Sequence, residues 1–517
     1  MKVAHVFEAC PIDGPLAGLA AGMAFRPATH ARKAPAPTVS RSWRGLSAVL
    51  WSLAFLGLPA TLASEAKAAP TPTPLAAYAL RVLPTLQCPI SFACQNATFD
   101  LSNAAGINDR GWIVGDANVP GSTNAANATE HATLWRGGQI TDLGTLGGPN
   151  SGIGFLGRPN ETGLISGSAQ TGTPDPFGEN WGVQDSCDAN GDVCSGWQYE
   201  LRGFVWTQGV ARPLPTLGGD NALAFGGAND RGQIVGTAEK ATPDGNCQTS
   251  WFYDSALNLN IRLHQQLDYE PVVWGPRYGE IHALPLPLGD SIGGAVAIND
   301  AGQVIGGSGP ICEPLNFGAI QHALLWQNGL PPTNLGSLGG QYNNVPTAIN
   351  DLGQVVGLSD LPGDTTTHAF LWHKGVMTDL GTLPGDANSL ANAINDQGQV
   401  VGQSCDTSGN CRGFLWQHGV MTDLNAITDR PAGFDLDTAE GINDQGVIVG
   451  NVYDPALGTA FAFAAIPSGN ASTANQSPTG SGQLTRGATA PKTILPASVR
   501  AQLRSQLRVG LLLGGAR

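Results

Sequence analysis

The sequence predicts an all-β fold, a seven-bladed β-propeller of four-stranded blades. Three observations predict it. An Asn-Asp-x-Gly motif closes a short apolar stretch at Asn108, Asn229, Asn299, Asn350, Asn395 and Asn443, and a degenerate copy, Asn160-Glu161-Thr162-Gly163, makes seven. Each copy continues through further short runs of Val, Ile, Leu and aromatics bounded by Gly-containing turns, and a four-strand unit repeated every ~45–50 residues is the signature of a propeller blade. The seventh copy lacks its last strand, while an unassigned strand-like segment at 78–86 precedes the first copy, so the count closes at seven blades.

Within one unit, strand A is the apolar stretch that ends in the motif. Strand B is a run such as Gln354-Val355-Val356-Gly357. Strand C ends in an aromatic: Trp135, Trp206, Trp274, Trp326, Trp372, Trp416 and, in the seventh copy, Phe463. A Gly turn leads to strand D, as in Met377-Thr378-Asp379-Leu380-Gly381. Successive motifs are 52, 69, 70, 51, 45 and 48 residues apart, and the long spacings are the same unit with insertions. Two strand phases remain open. Either the N-terminal segment completes the last blade, or every blade runs D-A-B-C. Both leave no long exposed sheet edge.

The motif itself is turn chemistry. Asn and Asp bond to nearby backbone, and Gly accepts positive φ. An Asp serving one turn in every copy is architectural before it is a metal ligand. His131, His322 and His368 open strand C in three copies, and Gly203 and Gly413 are taken to replace His in two others, which argues against a His-based metal ring. The strand-C tryptophans are expected to pack between blades.

These residues carry a resemblance. His368-Ala369-Phe370-Leu371-Trp372, the run from Ala348 to Gly357 and Asp379-Leu380-Gly381-Thr382-Leu383 resemble the HAF repeat of bacterial extracellular proteins, over roughly residues 76–466. The resemblance implies a secreted bacterial repeat protein. It brings no catalytic residues, and copies two and three depart from its pattern.

Composition agrees with this architecture. The 517 residues include 70 Gly and 36 Pro, only 13% are charged, and the net charge is −14. Long helical or coiled-coil folds are excluded by that composition. The 26 Lys and Arg against 40 Asp and Glu leave no basic footprint, so no nucleic-acid partner is expected. The bases concentrate at the two ends. Residues 69–466 hold 13 bases and 37 acids, a surface suited to cations or basic partners.

Residues 1–68 are a targeting segment. Arg41 and Arg44 precede the apolar run Leu46–Leu58, and Ala66-Lys67-Ala68 matches a cleavage pattern. Export to the outside or the periplasm is expected. Eight cysteines follow, and in an oxidising compartment four disulfides are expected among Cys88, Cys94, Cys187, Cys194, Cys247, Cys312, Cys405 and Cys411. Cys247 and Cys312 sit on neighbouring units and are expected to pair. Residues 467–491 form a polar linker. Residues 492–517 form a basic amphipathic tail, with Val499, Leu503, Leu507 and Leu511 on one stripe and Arg500, Arg504 and Arg508 beside it. The tail is suited to anionic lipid or to the acidic propeller.

Function is expected on the face of the B–C connections. Copies two and three carry the long ones, 169–201 and 238–270, and loops of that length are usually functional or disordered. Trp181, Trp197, Tyr199, Trp251, Phe252 and Tyr253 are the candidate ligand-binding residues, as flat platforms for sugar rings or anchors for a protein. The competing expectation is that they pack a satellite core beneath the loops. Asp188-Ala189-Asn190-Gly191-Asp192 falls short of a calcium loop, and His264 between Asp254 and Asp268 is weak evidence for acid–base chemistry. No catalytic residue, metal ligand or cofactor is assigned. The leading reading is a monomeric secreted or cell-surface binding module for polysaccharide or a surface protein. The alternatives are a propeller hydrolase or lyase using loop carboxylates, and an envelope scaffold.

Overall fold

The computed structural model describes residues 78–87 and 101–468, apart from 122–128, 155, 180, 182–198, 244–246, 248, 255–258, 311–320, 328, 455–456 and 458. The targeting segment, the linker and the tail lie outside the described residues. Seven small antiparallel sheets form a ring, a seven-bladed β-propeller. Among the described residues the one helix is a single turn, Leu424–Ile427, and no helix is long and apolar enough to cross a membrane.

Blades 1 to 6 take their strands A to D in chain order. Blade 5 is typical: Asn344–Ile349, Val355–Asp360, Thr367–His373 and Val376–Gly381. Blade 7 settles the phase. Its strands A to C are Asp435–Ile442, Ile448–Asp454 and Thr459–Pro467, and its fourth strand is Tyr78–Val82 from the other end of the propeller sequence. Tyr78 pairs with Pro467 and Val82 with Phe463. The two-residue strand Thr428–Asp429 covers the outer edge of Tyr78–Val82, so this latch strand does not present an open edge.

Register places the repeat residues and corrects two alignments. Trp372 pairs with Val355 and Trp416 with Val400, but in blade 7 the position opposite Ile448 is Ala465. Phe463 pairs with Gly450 and so matches Phe370, which pairs with Gly357. The position of His368 is held in blades 2 and 6 by Arg202 and Arg412, not by Gly203 and Gly413. The expectation for the tryptophans holds in its physical sense. The indole Nε1 of Trp135, Trp274 and Trp326 donates to the carbonyls of Pro84, Pro215 and Pro285, at 2.6, 2.8 and 2.7 Å. Each thereby pins the D–A connection that leads into its blade.

The motif does more than turn the chain. Within each copy, the Asn Oδ1 accepts the N–H four residues on, as from Gln354 to Asn350 at 2.9 Å. Across copies, the Asn Nδ2 donates to the backbone carbonyl of the next Asn, from Asn108 to Asn160, then Asn229, Asn299, Asn350, Asn395, Asn443 and back to Asn108. A second ring runs beside it. The N–H after each Asn donates to the next motif carboxylate: Glu161, Asp230, Asp300, Asp351, Asp396, Asp444 and Asp109. Glu161 in the degenerate copy supplies the carboxylate that Asp supplies elsewhere.

Candidate functional site

The B–C face of blades 2 to 4 departs most from the repeat. In blade 3 strand B extends to Pro243 and strand C starts at Leu267, with a separate hairpin, Thr249–Asp254 and Leu259–His264, between them. Trp251, Phe252 and Tyr253 lie on that hairpin rather than in a loop; their side chains, Trp197 and the 188–192 run are outside the described residues. Tyr199 is half-buried at the start of strand C of blade 2.

Trp181 is not a platform. It is 1% exposed and stacks edge-on against Tyr269 with ring centroids 5.4 Å apart. Leu201, Leu223, Phe225 and Ile292 surround the pair. For this residue the satellite-core expectation is the correct one, because a ring shielded on all sides offers no face to a ligand.

Beside this core two carboxyls are buried together. Glu179 comes from the blade 2 connection and Glu239 from strand B of blade 3, and both have no exposed surface. Glu179 Oε1 accepts the N–H groups of Gln266 and Leu267 at 2.6 and 2.8 Å. Glu239 Oε2 accepts those of Asp220 and Asn221 at 3.0 and 2.8 Å. The Nδ2 of Asn221 bridges the two carboxyls, at 3.2 Å from Glu179 and 3.3 Å from Glu239. Burial first, then the hydrogen bond and charge of Glu179, push the Glu239 carboxyl up to about 10. Its proton ties the two connections together. Sealed from solvent, the pair cannot reach a substrate, so it is a structural clasp.

Lys240, the residue after Glu239, lines an open groove of about 600 Å³ together with Asp268, Glu270 and residues 283–291, the end of strand D and the D–A connection that follows it. The repeat explains why it is unusual. At the start of strand C, blades 1, 5 and 6 carry a base paired to an acid of strand D: His131 to Asp142 at 2.9 Å, His368 to Asp379 at 2.9 Å and Arg412 to Asp423 at 3.0 Å. In blade 3 that position is Glu270, opposite Ala238. The charge is reversed, and Lys240 from strand B answers it, 3.1 Å from Glu270 and 3.2 Å from Asp268. Burial pulls the Lys240 ammonium down, but the two carboxylates more than offset it and hold it above its ordinary value. Opposite stand Leu286, Pro287 and Leu288, the last fully exposed. Asp290 ends the wall, holding His322 Nδ1 at 2.8 Å and the hydroxyl of Ser308 on the same oxygen. Hydroxyl and imidazole both bind this carboxylate instead of each other, so they do not form a nucleophile–base pair.

Glu179, Glu239, the Lys240 pairings and the 283–291 wall were not singled out from sequence. A signal was present: Lys240 is one of two lysines in the propeller body, and Asp268 and Glu270 alternate on one strand. Among the disulfides, Cys405–Cys411 is formed, joining directly paired strand positions. Cys247 is also disulfide-bonded; the expected pairing with Cys312, and the remaining pairs, fall outside the described residues. Among the described residues no three His, Cys, Asp or Glu side chains are placed to hold one metal ion.

No family model matches the chain, and no curated protein matches it. Solved structures similar to it include an acylaminoacyl peptidase from Pyrococcus horikoshii, at 10% identity and TM-score 0.41, covering 69% of this chain and 50% of that one. A puromycin-hydrolysing peptidase from Mycobacterium tuberculosis is similar at 11% identity and TM-score 0.41, covering 74% and 56%. The β-propeller domain of the Trilobed protease from Pyrococcus furiosus is similar at 11% identity and TM-score 0.31, covering 64% and 100%. The chain spans about half the length of the two peptidases.

Proposed function

We propose that the protein is an exported binding module of the HAF-repeat kind, and that the blade 3–4 groove takes a polysaccharide. The observation that carries this reading is the charge reversal at Glu270. One blade alone replaces the self-paired base by an acidic edge facing an apolar wall. Carboxylates accept paired hydrogen bonds from neighbouring sugar hydroxyls, and Leu286–Leu288 offers an apolar surface to the C–H face of a sugar ring. Lys240 fixes both carboxylates in place. The disulfide of Cys405–Cys411 is the kind of link that persists in oxidising compartments and supports the reading of export.

The test is a neutral and acidic glycan panel against the full chain, beside Glu270→Gln and Leu288→Ala. Binding that falls at least ~10-fold in both variants supports the groove, since two lost contacts of this kind cost about 1–2 kcal/mol each. Binding that is unchanged in both, or absent from every glycan, overturns it.

A further inference from the structure

The opposite face of the propeller carries a second feature. The seven motif carboxylates stand around the mouth of the central channel on the A–B face, each accepting one N–H from its neighbour. The charges are close enough to disturb one another. Burial first, and then repulsion from Asp351 and Asp444, raise Asp396; burial and then Asp109 and Asp230 raise Glu161. The bases at this mouth are Arg110, 3.7 Å from Glu161, Arg231, and Arg158, whose charge acts on Asp396. Three bases against seven carboxylates leave four acids in excess.

Below the mouth the channel is narrow, lined by small residues such as Gly106, Ala297, Ala348 and Gly441. Three bulged positions of neighbouring blades add polar groups: Thr347, Asn392 and Glu440. Thr347 Oγ1 and Asn392 Nδ2 donate to the carbonyls of Ala391 and Ala439 in the next blade, at 2.6 and 3.0 Å. Asn392 Nδ2 also donates to Glu440 Oε2 at 2.9 Å. Two oxygens of this set, Asn392 Oδ1 and Glu440 Oε1, are buried with no hydrogen-bond partner, on residues only 2% and 4% exposed. Burial keeps Glu440 protonated up to about pH 8, so the acceptor left for an incoming donor is Asn392 Oδ1.

A single metal ion does not suit this mouth, because its carboxylates are spread around a ring rather than converged. An extended cation with several charges does. The chain contains one. Residues 467–517 hold six Lys and Arg and no acid. The chain also leaves the propeller on this face: Ala465 pairs with Ile448, just after the Asn443 turn, and a Cβ on Gly446 would stand 3.5 Å from Pro467. A polar linker of the length between 468 and 493 spans about 25–30 Å r.m.s., enough to bring the basic segment back over the mouth.

We propose that the carboxylate-ringed mouth is the docking site of the chain's own basic segment, residues 492–517, with Arg500, Arg504 and Arg508 bridging the ring and the unpartnered Asn392 oxygen beneath it. The attraction is electrostatic and intramolecular, so it is strong at low salt and screened at high salt.

Hydrogen exchange by mass spectrometry on the full chain tests this. The peptides covering 494–513 are expected to exchange roughly ten-fold slower at 20 mM than at 1 M salt. The protection is expected to vanish in the triple variant Asp351→Asn, Asp396→Asn, Asp444→Asn. Asparagine keeps the acceptor oxygen, so the ring is expected to fold, and an unchanged melting curve checks that. Arg500→Gln, Arg504→Gln, Arg508→Gln is expected to remove the protection from the other side. Protection that is independent of salt and of both triple variants belongs to the segment alone and overturns the docking. Fast exchange at both salts, with protection appearing only on anionic vesicles, assigns the segment to lipid and overturns it too.

Discussion

Removing one motif asparagine tests the energetic role of the rings. Asn350 is 2% exposed. Its Nδ2 donates to the Asn395 carbonyl at 3.0 Å and its Oδ1 accepts the Gln354 N–H at 2.9 Å. In Asn350→Ala both bonds go, together with a third from Nδ2 to Gln354 Oε1 at 2.8 Å. The Asn395 carbonyl still accepts the N–H of Gly398, but the Gln354 N–H is left without its acceptor. Three lost bonds at ~1 kcal/mol each, plus ~1–3 kcal/mol for a partly buried donor left unmade, give a loss of about 4–6 kcal/mol. Urea denaturation of the full chain, followed by tryptophan fluorescence, measures it. Asp351→Asn is the control. It keeps the acceptor for the Asp300 N–H and is expected to change stability by less than ~0.5 kcal/mol. Asn160→Ala is expected to cost an amount similar to Asn350→Ala, because Asn160 makes the corresponding bonds to Asn229 and Leu164 and its Oδ1 also accepts from Thr162. A cost below ~1 kcal/mol for either alanine variant refutes the claim that the ring holds the blades together.

Acidity is a second lever. Burial pushes Glu440 and Asp116 up to about 8 from 4.5 and 3.8. The folded state therefore keeps protons that the unfolded chain has already lost, so stability falls as pH rises from about 4.5 to 8, by ~1.4 kcal/mol per pH unit for each group. Glu440→Gln is expected to flatten that slope and to be more stable than the parent at pH 8, by melting temperature; parallel curves would contradict the assignment. Trp135→Phe removes the bond to Pro84 and is expected to cost about 1–2 kcal/mol, read by denaturation; no change would mean the connection is held by packing alone. Replacing Cys405 and Cys411 by Ser opens a short loop and is expected to cost about 2 kcal/mol, seen as a lower melting temperature under non-reducing conditions; an unchanged melting temperature would contradict it.

The ring of blades was legible because it is written in local chemistry. A Gly at positive φ, such as Gly353 or Gly398, an Asn that bonds its own turn, and short apolar runs all repeat at fixed offsets. The direction of the asparagine side chains was not legible. A turn motif shows what bonds within it, and the same Nδ2 reaching the next blade depends on how closely the blades pack. Strand phase was open for the same reason: Tyr78–Val82 pairs with residues near 467, and no local signal records that partner. At the groove, the aromatic count pointed to Trp181, which lies inside. Composition counts aromatics without saying which face they present. The more telling sign was a broken pattern, an acid at Glu270 where sister copies place a base, and seeing it needs the exact register of strand C.

The latch strand also sets an order of events for the chain. Each blade from 1 to 6 is made of neighbouring segments, so those sheets form from contacts close in sequence. The seventh cannot finish until both ends of the propeller sequence are present, because Tyr78 must find Pro467 and Asn443 must find Asn108. Contacts so distant in sequence close slowly, since loop entropy is lost before the pairing compensates it. Until then the outer edge of Thr459–Pro467 is open to any strand that reaches it. The same arrangement protects the finished molecule. Unravelling from either end must first break a joint held by both, which is how a circle made from one thread resists being pulled apart.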